Sequence, residues 1–366
     1  MKKVIHIVGA RPNFIKAAPL IKKMNTLDIV NMVVHTGQHY DHNMSQQFFD
    51  ELNIPTPDYN LGAGGGSHTT QTSNIMIGCE RIFSEHKPNF VIVYGDVNSC
   101  VAASIVASKM HLEGLPKIKI IHIESGLRSY DRDMPEEINR ILTDNISDIL
   151  FVTCQDALDN LKQEGIDEEK CHLVGNTMID SLVELNDKFD DSKILKTLNL
   201  KDKLYVLITL HRPSNVDTKD GLKKMMDSLS LISNQIDCVF PIHPRTKNNL
   251  SKFGLYEKYN TDKFKIINPL GYVDFMCLQK NSKLVITDSG GIQEESSFFN
   301  VPCLTLRDNT ERPITCIQGT NELVGTDLNK LIKKINTIDL NKKSNIELWD
   351  GNASSRIVKI MKRILK

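Results

Sequence analysis

No apolar run in this 366-residue chain approaches the roughly 20 residues needed to cross a bilayer. The opening MKKVIHIVGARP has too short an apolar part for a signal peptide and meets Gly9 and Arg11 at once, so it reads as a buried first strand. A basic excess is also missing. Lys+Arg and Asp+Glu are both 45, which counts against a nucleic-acid partner, and no acidic tail is present. The eight cysteines (79, 100, 154, 171, 238, 277, 303, 316) contain no C-x-x-C pair. Several sit inside apolar runs such as IDCVFPI and VPCLTL, which predicts reduced core residues of a cytoplasmic protein rather than metal ligands.

Cofactor motifs are equally scarce. The first strand runs into GARPNF instead of G-x-G-x-x-G, and no strand-ending acid about 20 residues on offers a ribose contact for a dinucleotide. Walker A, G-x-S-x-G and H-E-x-x-H patterns are absent. Nicotinamide redox, P-loop, serine-hydrolase and zinc-protease chemistry therefore drop out, and neither a metal nor a cofactor is expected.

What the chain does have is a globular balance, 40% apolar and 25% charged residues, at a length suited to two domains. The short runs 3–8, 30–36, 90–95, 118–124 and 148–153 show little polar alternation, as strands buried on both faces do. Helical stretches such as FIKAAPLIKKM and VNSCVAASIVASKM lie between them, giving repeated βαβ units. A second series runs through 203–210, 238–243, 264–267, 283–288 and 302–306. The charged stretch 184–203 between the series reads as a linker or linking helix, and GAGGGS (62–67) as a flexible loop. The expected division is 1–180, joined by a C-terminal amphipathic helix over 352–366, and 181–351.

In open α/β sheets ligands bind beyond the carboxyl ends of strands, and chargeable residues recur at that end here. Arg11 and Lys16 follow the first strand, Asp96 follows FVIVYG, and Glu124 follows IKIIHI. In the second half His211-Arg212, His243-Pro-Arg245 and Asp288-Ser-Gly-Gly repeat the pattern. Any one of these reads equally as a helix cap or a solvated loop charge; together they point to one cleft shared by both domains. SGGIQEES (289–296) turns from strand to helix through Gly290 and Gly291, where free N–H groups and the helix dipole suit a phosphate. The alternative is a tight turn with Ser289 as N-cap and Glu295 as an exposed helix carboxylate. In DMPEEINRILTD, Glu136, Asn139 and Arg140 share a helix face. They form either a surface Glu136–Arg140 pair worth about 0.2–0.5 kcal/mol or a carboxylate delivered to the cleft. Three carboxylates and a histidine near one cleft favour proton transfer over nucleophilic or metal chemistry.

Taken in order, GARPNFIK (9–16), HTGQHYD (35–41), YGDVNS (94–99), HIESGLRS (122–129), MPEEINR (134–140), LHRPSN (210–215), HPRT (243–246), TDSGGIQEE (287–295) and TERP (310–313) resemble the non-hydrolysing UDP-N-acetylglucosamine 2-epimerases over nearly the whole chain. The resemblance implies an α/β fold of two Rossmann-like domains facing a central cleft, the GT-B arrangement. It also implies a C-terminal helix packing back on the N-terminal domain and a homodimer. It further implies interconversion of UDP-GlcNAc and UDP-ManNAc by anti elimination of UDP and re-addition with inversion at C2. Carried over by motif, Asp96, Glu124 and Glu136 match the acid–base carboxylates and His211 the catalytic histidine. Arg11, Lys16, Arg140, Arg212, His243, Phe275, Ser289, Gly290, Gly291, Glu295 and Arg312 match substrate contacts. Lys16 and Phe275 also read as a helix-face charge and a core aromatic.

The chain departs from the family at one run. Gln38 and His39 match a segment that holds a second, activating UDP-GlcNAc in many bacterial members, but Tyr40 stands where those members carry Arg. The segments 9–16 and 35–45 also resemble a sister group acting on UDP-2,3-diacetamido-2,3-dideoxy-glucuronic acid. Two other classes fit the architecture, a UDP-sugar glycosyltransferase and a non-catalytic nucleotide-sugar sensor. Neither needs Asp96, Glu124, Glu136 and His211 together.

Overall fold

The computed structural model describes residues 1–38, 51, 52 and 54–365, with the backbone alone at Arg11 and Leu328. The chain divides into two compact units, Met1–Leu185 with Glu347–Lys366, and Asn186–Ile346.

The first unit is built on a seven-stranded parallel sheet of order β3-β2-β1-β4-β5-β6-β7. Its strands are β1 (Lys2–Val8), β2 (Ile29–His35), β3 (Tyr59–Asn60), β4 (Phe90–Tyr94), β5 (Lys119–Ser125), β6 (Ile149–Val152) and β7 (Cys171–Leu173). Five of them coincide with the apolar runs. The edge strands β3 and β7 are two and three residues long and carry too little pattern to stand out in the sequence. β4 is buried at all five positions, as a central parallel strand covered by helices must be. Even the polar residue inside β1 fits this. His6 lies between Tyr94 Oη (2.6 Å) and Asn31 Oδ1 (2.6 Å), and burial pushes its imidazole down to about 4, so a neutral ring donates to Asn31 and accepts from Tyr94.

The second unit carries a six-stranded parallel sheet of order β10-β9-β8-β11-β12-β13. Its strands are β8 (Tyr205–Thr209), β9 (Asp237–Pro241), β10 (Phe264–Ile267), β11 (Leu284–Thr287), β12 (Cys303–Thr305) and β13 (Asn321–Leu323). The charged stretch after residue 184 forms two short helices, Asn186–Asp191 and Ile194–Thr197. Phe189 of the first packs edge-on against Tyr272 and Phe299, which ties the stretch to this unit.

Both sheets have the doubly wound order, so each has a topological switch, between β1 and β4 and between β8 and β11, where the helices on either side diverge. The C-terminal helix Ala353–Ile364 returns to the first unit, as expected. The Asp180 carboxylate accepts the Ala353 and Ser354 N–H groups at 3.0 and 2.6 Å, capping that helix from the helix Thr177–Glu184. The Trp349 indole N–H donates to the Thr153 carbonyl at 3.1 Å. All eight cysteines are free thiols and six are buried. Burial pushes Cys79, Cys100 and Cys303 up to about 12, which makes them packing residues rather than nucleophiles. Among the described residues no helix is long and apolar enough to cross a membrane.

Candidate active site

In the first unit the strand-end residues converge beside the β1/β4 switch. Lys16, on the helix Arg11–Met24, reaches Glu124 with its Nζ 2.6 Å from Oε1, and the two side chains are only 5% and 3% exposed. This overturns the alternative of a solvated helix-face charge. Glu124 itself has φ +70°, the left-handed region that L side chains avoid, and the pairing of β5 with β6 shifts register between Ile123 and Ser125. Such a backbone costs on the order of 1–3 kcal/mol and persists where its surroundings over-determine it, often at a working site. Here the bulge turns the Glu124 carboxylate back toward Lys16. Gly95, the residue before Asp96, also has positive φ (+68°). A Cβ there would meet Lys16 Nζ at 3.2 Å and Glu124 Oε1 at 3.4 Å, so this turn runs directly over the ion pair.

Asp96 follows that turn with 23% of its side chain exposed, and its carboxylate takes Nη1 of Arg140. The backbone carbonyl of Asp96 accepts the Asn139 amide at 2.9 Å. Both partners come from the helix Pro135–Ile146, which the sequence pattern placed correctly. Of the two readings of that helix, the surface Glu136–Arg140 pair does not form. Arg140 is buried and gives Nε and Nη2 to Glu137 at 3.0 and 2.6 Å. Glu136 is half-buried, and its carboxylate makes no hydrogen bond or ion pair among the described residues.

Burial alone would raise the Glu137 carboxyl. The Ser129 N–H, the Arg140 guanidinium and the Tyr130 N–H outweigh it and hold it below the ordinary range. Behind the same turn, the fully buried His122 donates from Nε2 to the Gly95 carbonyl at 2.8 Å and places Nδ1 2.6 Å from Asp144 Oδ1. Asp144 also pairs with Arg128 at 2.7 Å. Against the raising effect of burial, His122 and Arg128 together pull the Asp144 carboxyl down.

Gln38 uses its side-chain oxygen to cap the helix Asn98–Lys109, accepting from the Ser99 N–H at 3.0 Å and the Ser99 hydroxyl at 2.7 Å. His39 lies outside the described residues, and so does the side chain of Arg11.

In the second unit the cluster forms across the β8/β11 switch. Asp288, buried at the end of β11, accepts the N–H groups of His211 and Arg212 and the Asn215 amide. It also lies 2.9 Å from His211 Nδ1. Desolvation would raise its carboxyl, but these donors, His211 first, bring it below the ordinary range. The anionic acid fixes the His211 tautomer and leaves Nε2 outward on a side chain 40% exposed. The His243 ring stands 5.4 Å from that of His211. Its Nδ1 is already used, accepting the Arg245 N–H as N-cap of the helix Pro244–Lys252. Arg212 holds the Asp288 carbonyl through Nε at 3.1 Å.

Ser289 occupies the N-cap position of the helix Gly290–Phe299, but its hydroxyl makes no cap hydrogen bond. The first-turn N–H groups are thus left to an incoming anion or to water. Gly290 is required by close packing. A Cβ there would stand 2.3 Å from Glu311 Oε1 and 2.7 Å from Arg312 Nη1. Arg312 is buried between Glu294, at 2.9 Å from its Nε, and Glu311, which in turn holds Arg307 at 2.7 Å. It supports the Gly290 turn from behind. Glu295 is buried, contrary to the expectation for an ordinary helix carboxylate. Phe275 is half-buried and packs against the cluster around Tyr205, Leu207 and Val285, where the core-aromatic reading puts it.

Sequence reasoning passed over three residues that hold these clusters: Glu137, Asp144 and Glu311. They sit inside helices or loops next to more conspicuous charges, and only their partners' geometry reveals them. Asp288 carried the same signal as Asp96, an acid immediately after a strand, and stood among the strand-end chargeable residues without a role assigned to it.

Comparison with known proteins agrees with this architecture. A family model described as UDP-N-acetylglucosamine 2-epimerase matches residues 22–362. The chain is 45% identical over 367 residues to the UDP-N-acetylglucosamine 2-epimerase of Methanocaldococcus jannaschii, with 98% of each chain covered. It is 40% identical over 372 residues to the UDP-2,3-diacetamido-2,3-dideoxy-D-glucuronate 2-epimerase of Pseudomonas aeruginosa, covering 99% of this chain and 100% of that one. The M. jannaschii UDP-GlcNAc 2-epimerase crystallised with UDP-GlcNAc and UDP superposes with a TM-score of 0.89 at 44% identity, covering 99% of this chain and 100% of that one. The Neisseria meningitidis enzyme bound to UDP-GlcNAc gives 0.87 at 30%, with the same coverage. Two parallel-sheet units with polar groups gathered at both switch points, together with a family match over nearly the full length, make the chain an epimerase that belongs to the UDP-N-acetylglucosamine 2-epimerase family.

Proposed function

We propose that the protein interconverts UDP-GlcNAc and UDP-ManNAc without a redox cofactor. The observation that carries this reading is the pairing in the first unit of two carboxylates at neighbouring strand ends, each with its own cation, Asp96 with Arg140 and Glu124 with Lys16. Inversion at C2 needs a proton removed from one face and returned to the other, hence more than one positioned acid–base group. A carboxylate takes the C2 proton while the C1–O bond to UDP breaks and its electron pair leaves on the diphosphate. The former C–H pair becomes the C1–C2 double bond of 2-acetamidoglucal. UDP oxygen then adds back to C1, and a carboxylic acid delivers a proton to the opposite face of C2.

The proposal assigns proton handling to Asp96, Glu124 and Glu136. Lys16 and Arg140 hold the Glu124 and Asp96 carboxylates in place. In the second unit the Gly290–Gly291 turn and His211 receive the diphosphate, where negative charge builds up as C1–O breaks, and Glu295 receives the ribose. Arg11, Arg212, His243 and Arg312 complete the contacts, directly or through their neighbours.

The test is incubation with UDP-GlcNAc in deuterated water. Deuterium at C2 together with UDP-ManNAc is expected. Release of free sugar, or turnover only with an added acceptor, overturns the reading. Asp96→Asn should abolish C2 exchange while leaving UDP binding measurable; retained exchange removes Asp96 from the acid–base set. A second substrate is favoured by the 40% identity to the P. aeruginosa enzyme. Parallel assay with UDP-2,3-diacetamido-2,3-dideoxy-glucuronic acid separates the two, since an enzyme of that sister group turns over the uronic acid faster.

A further inference from the structure

The geometry points to Glu137 as a positioning residue for Asp96. It fixes which nitrogen of Arg140 reaches Asp96, and it cancels much of that cation's field at the Asp96 carboxylate. This rests on the reading of Asp96 as an acid–base group. Arg140 has five N–H donors on a rigid fork. Glu137 Oε2 takes two of them, from Nε at 3.0 Å and Nη2 at 2.6 Å, which leaves Nη1 to face Asp96. The guanidinium therefore cannot turn its Nε/Nη2 edge to Asp96, the side-on geometry that would hold the carboxylate through two parallel bonds.

Charge follows the same logic. Both Arg140 and Glu137 are buried, their ion pair is 2.6 Å long, and together they are neutral. Alone, Arg140 would present a full positive charge to Asp96. Glu137 is itself over-determined, for Ser129 N–H and Oγ approach Oε2 at 3.0 Å and Tyr130 N–H approaches Oε1 at 2.8 Å. Those donors hold it anionic and also fold the 129–130 segment onto the helix. The charged groups facing Asp96 in this arrangement are Arg140 directly, Glu137 through it, and the Lys16–Glu124 pair under Gly95. Of these, Glu137 touches neither Asp96 nor the residues assigned to substrate other than Arg140.

Glu137→Gln keeps the shape and removes the charge; its single amide oxygen can stand at the Oε2 position and accept from Ser129 and Arg140, while the contact with the Tyr130 N–H is given up. Two readouts separate the inference from the functional reading. The first needs no substrate: the side-chain carboxyl carbon of Asp96, assigned by its absence in Asp96→Asn, is followed by carbon-13 NMR against pH in the wild type and in E137Q. Loss of one nearby negative charge lets Arg140 stabilise the Asp96 carboxylate, so the midpoint should fall by about one pH unit. An unmoved midpoint overturns the inference, whether or not the protein epimerises anything.

The second readout is C2 exchange. In E137Q, kcat should fall about tenfold with KM within about threefold, and the acid limb of the rate profile should move in the same direction as the midpoint. Glu137→Asp keeps the charge on a shorter stem and should leave the midpoint in place while lowering kcat. If E137Q is too unstable to study, E137D decides alone: a shifted midpoint or an unchanged kcat counts against positioning. A wild type without C2 exchange defeats the functional reading, while the midpoint comparison still tests the role of Glu137.

Discussion

Replacing Lys16 with Met removes one half of an ion pair whose partners lie 2.6 Å apart with side chains 5% and 3% exposed. Two outcomes differ widely in size. A surface pair contributes about 0–1 kcal/mol, because water screens it and side-chain entropy opposes it. Breaking a buried pair from one side costs about 3–5 kcal/mol, because the remaining carboxylate stays out of water without its cation. The exposures place Lys16–Glu124 in the second class. The loss should therefore be about 3–5 kcal/mol at pH 8.

The chain has one tryptophan, Trp349, buried and hydrogen-bonded to Thr153 inside the first unit. Its fluorescence during urea unfolding thus reports the unit that contains the ion pair, separately from the second unit. Two internal checks sharpen the result. The double variant Lys16→Met with Glu124→Gln should recover to within about 1 kcal/mol of the wild type, since no buried charge is left unmatched. The deficit of the single variant should also shrink toward pH 5. Without the lysine the buried carboxyl binds its proton more tightly folded than unfolded, so its contribution is favourable at low pH and is lost as pH rises. A deficit below about 1 kcal/mol, or a double variant as unstable as the single one, would refute the assignment.

Asp288→Asn leaves His211 without the anion that fixes its tautomer, and kcat/KM should drop about 100-fold or more while UDP binding by calorimetry changes little. Gly290→Ala drives a methyl to 2.3 Å from Glu311 Oε1. Displacing that buried pair costs about 1–3 kcal/mol, so UDP affinity should weaken about five- to 150-fold with C2-independent stability loss visible in the melting temperature. The carboxyls of Glu137, Asp144 and Asp288 are all held below their ordinary values of 4.5, 3.8 and 3.8. Folded affinity for the proton is the weaker one in each case, so their stabilisation is complete above those values and disappears as pH falls through the lower folded ones. Melting temperatures should accordingly begin to fall near pH 6.5, where the unfolded chain takes up a proton on His6 that its buried ring, held down to about 4, refuses, and fall more steeply below about pH 4 as the three carboxyls protonate; a profile flat down to pH 5 would count against the buried neutral His6.

The sheet strands were legible because parallel strands buried on both faces leave unbroken apolar runs, as in β4 and β8. β3, β7 and β13 were not, because two or three residues at a sheet edge need no such run. The polar strand ends were legible for a related reason. A strand of that kind ends abruptly at Asp96, Glu124 or His211, and the change in polarity marks the spot. Partner choice was hidden. Helical spacing allowed Arg140 to meet Glu136 or Glu137, which lie four and three residues before it, and spacing alone cannot choose. The choice came from outside the helix, where the Ser129 and Tyr130 N–H groups require an acceptor at Glu137 and Asp96 requires a donor at Arg140. The left-handed backbone of Glu124 was equally hidden, since nothing in HIESGLRS announces which residue absorbs the register shift.

The two units use one topology with opposite polarity. In the first, the strand-end acid Asp96 keeps access to solvent, at 23% of its side chain, while the cation that orients it, Arg140, is buried. In the second, the acid Asp288 is buried and the group it orients, His211, is outward at 40%. A buried cation under an accessible carboxylate suits the uptake and return of a proton, because the carboxylate is held in place yet stays reachable. A buried anion under an accessible imidazole suits the reverse partner, a ligand group that gains negative charge. Exchanging these polarities should therefore separate the two tasks. Arg140→Met should impair C2 exchange far more than UDP binding. Loss of the helix-start turn at Gly290 should impair UDP binding first, and exchange only through the lost occupancy.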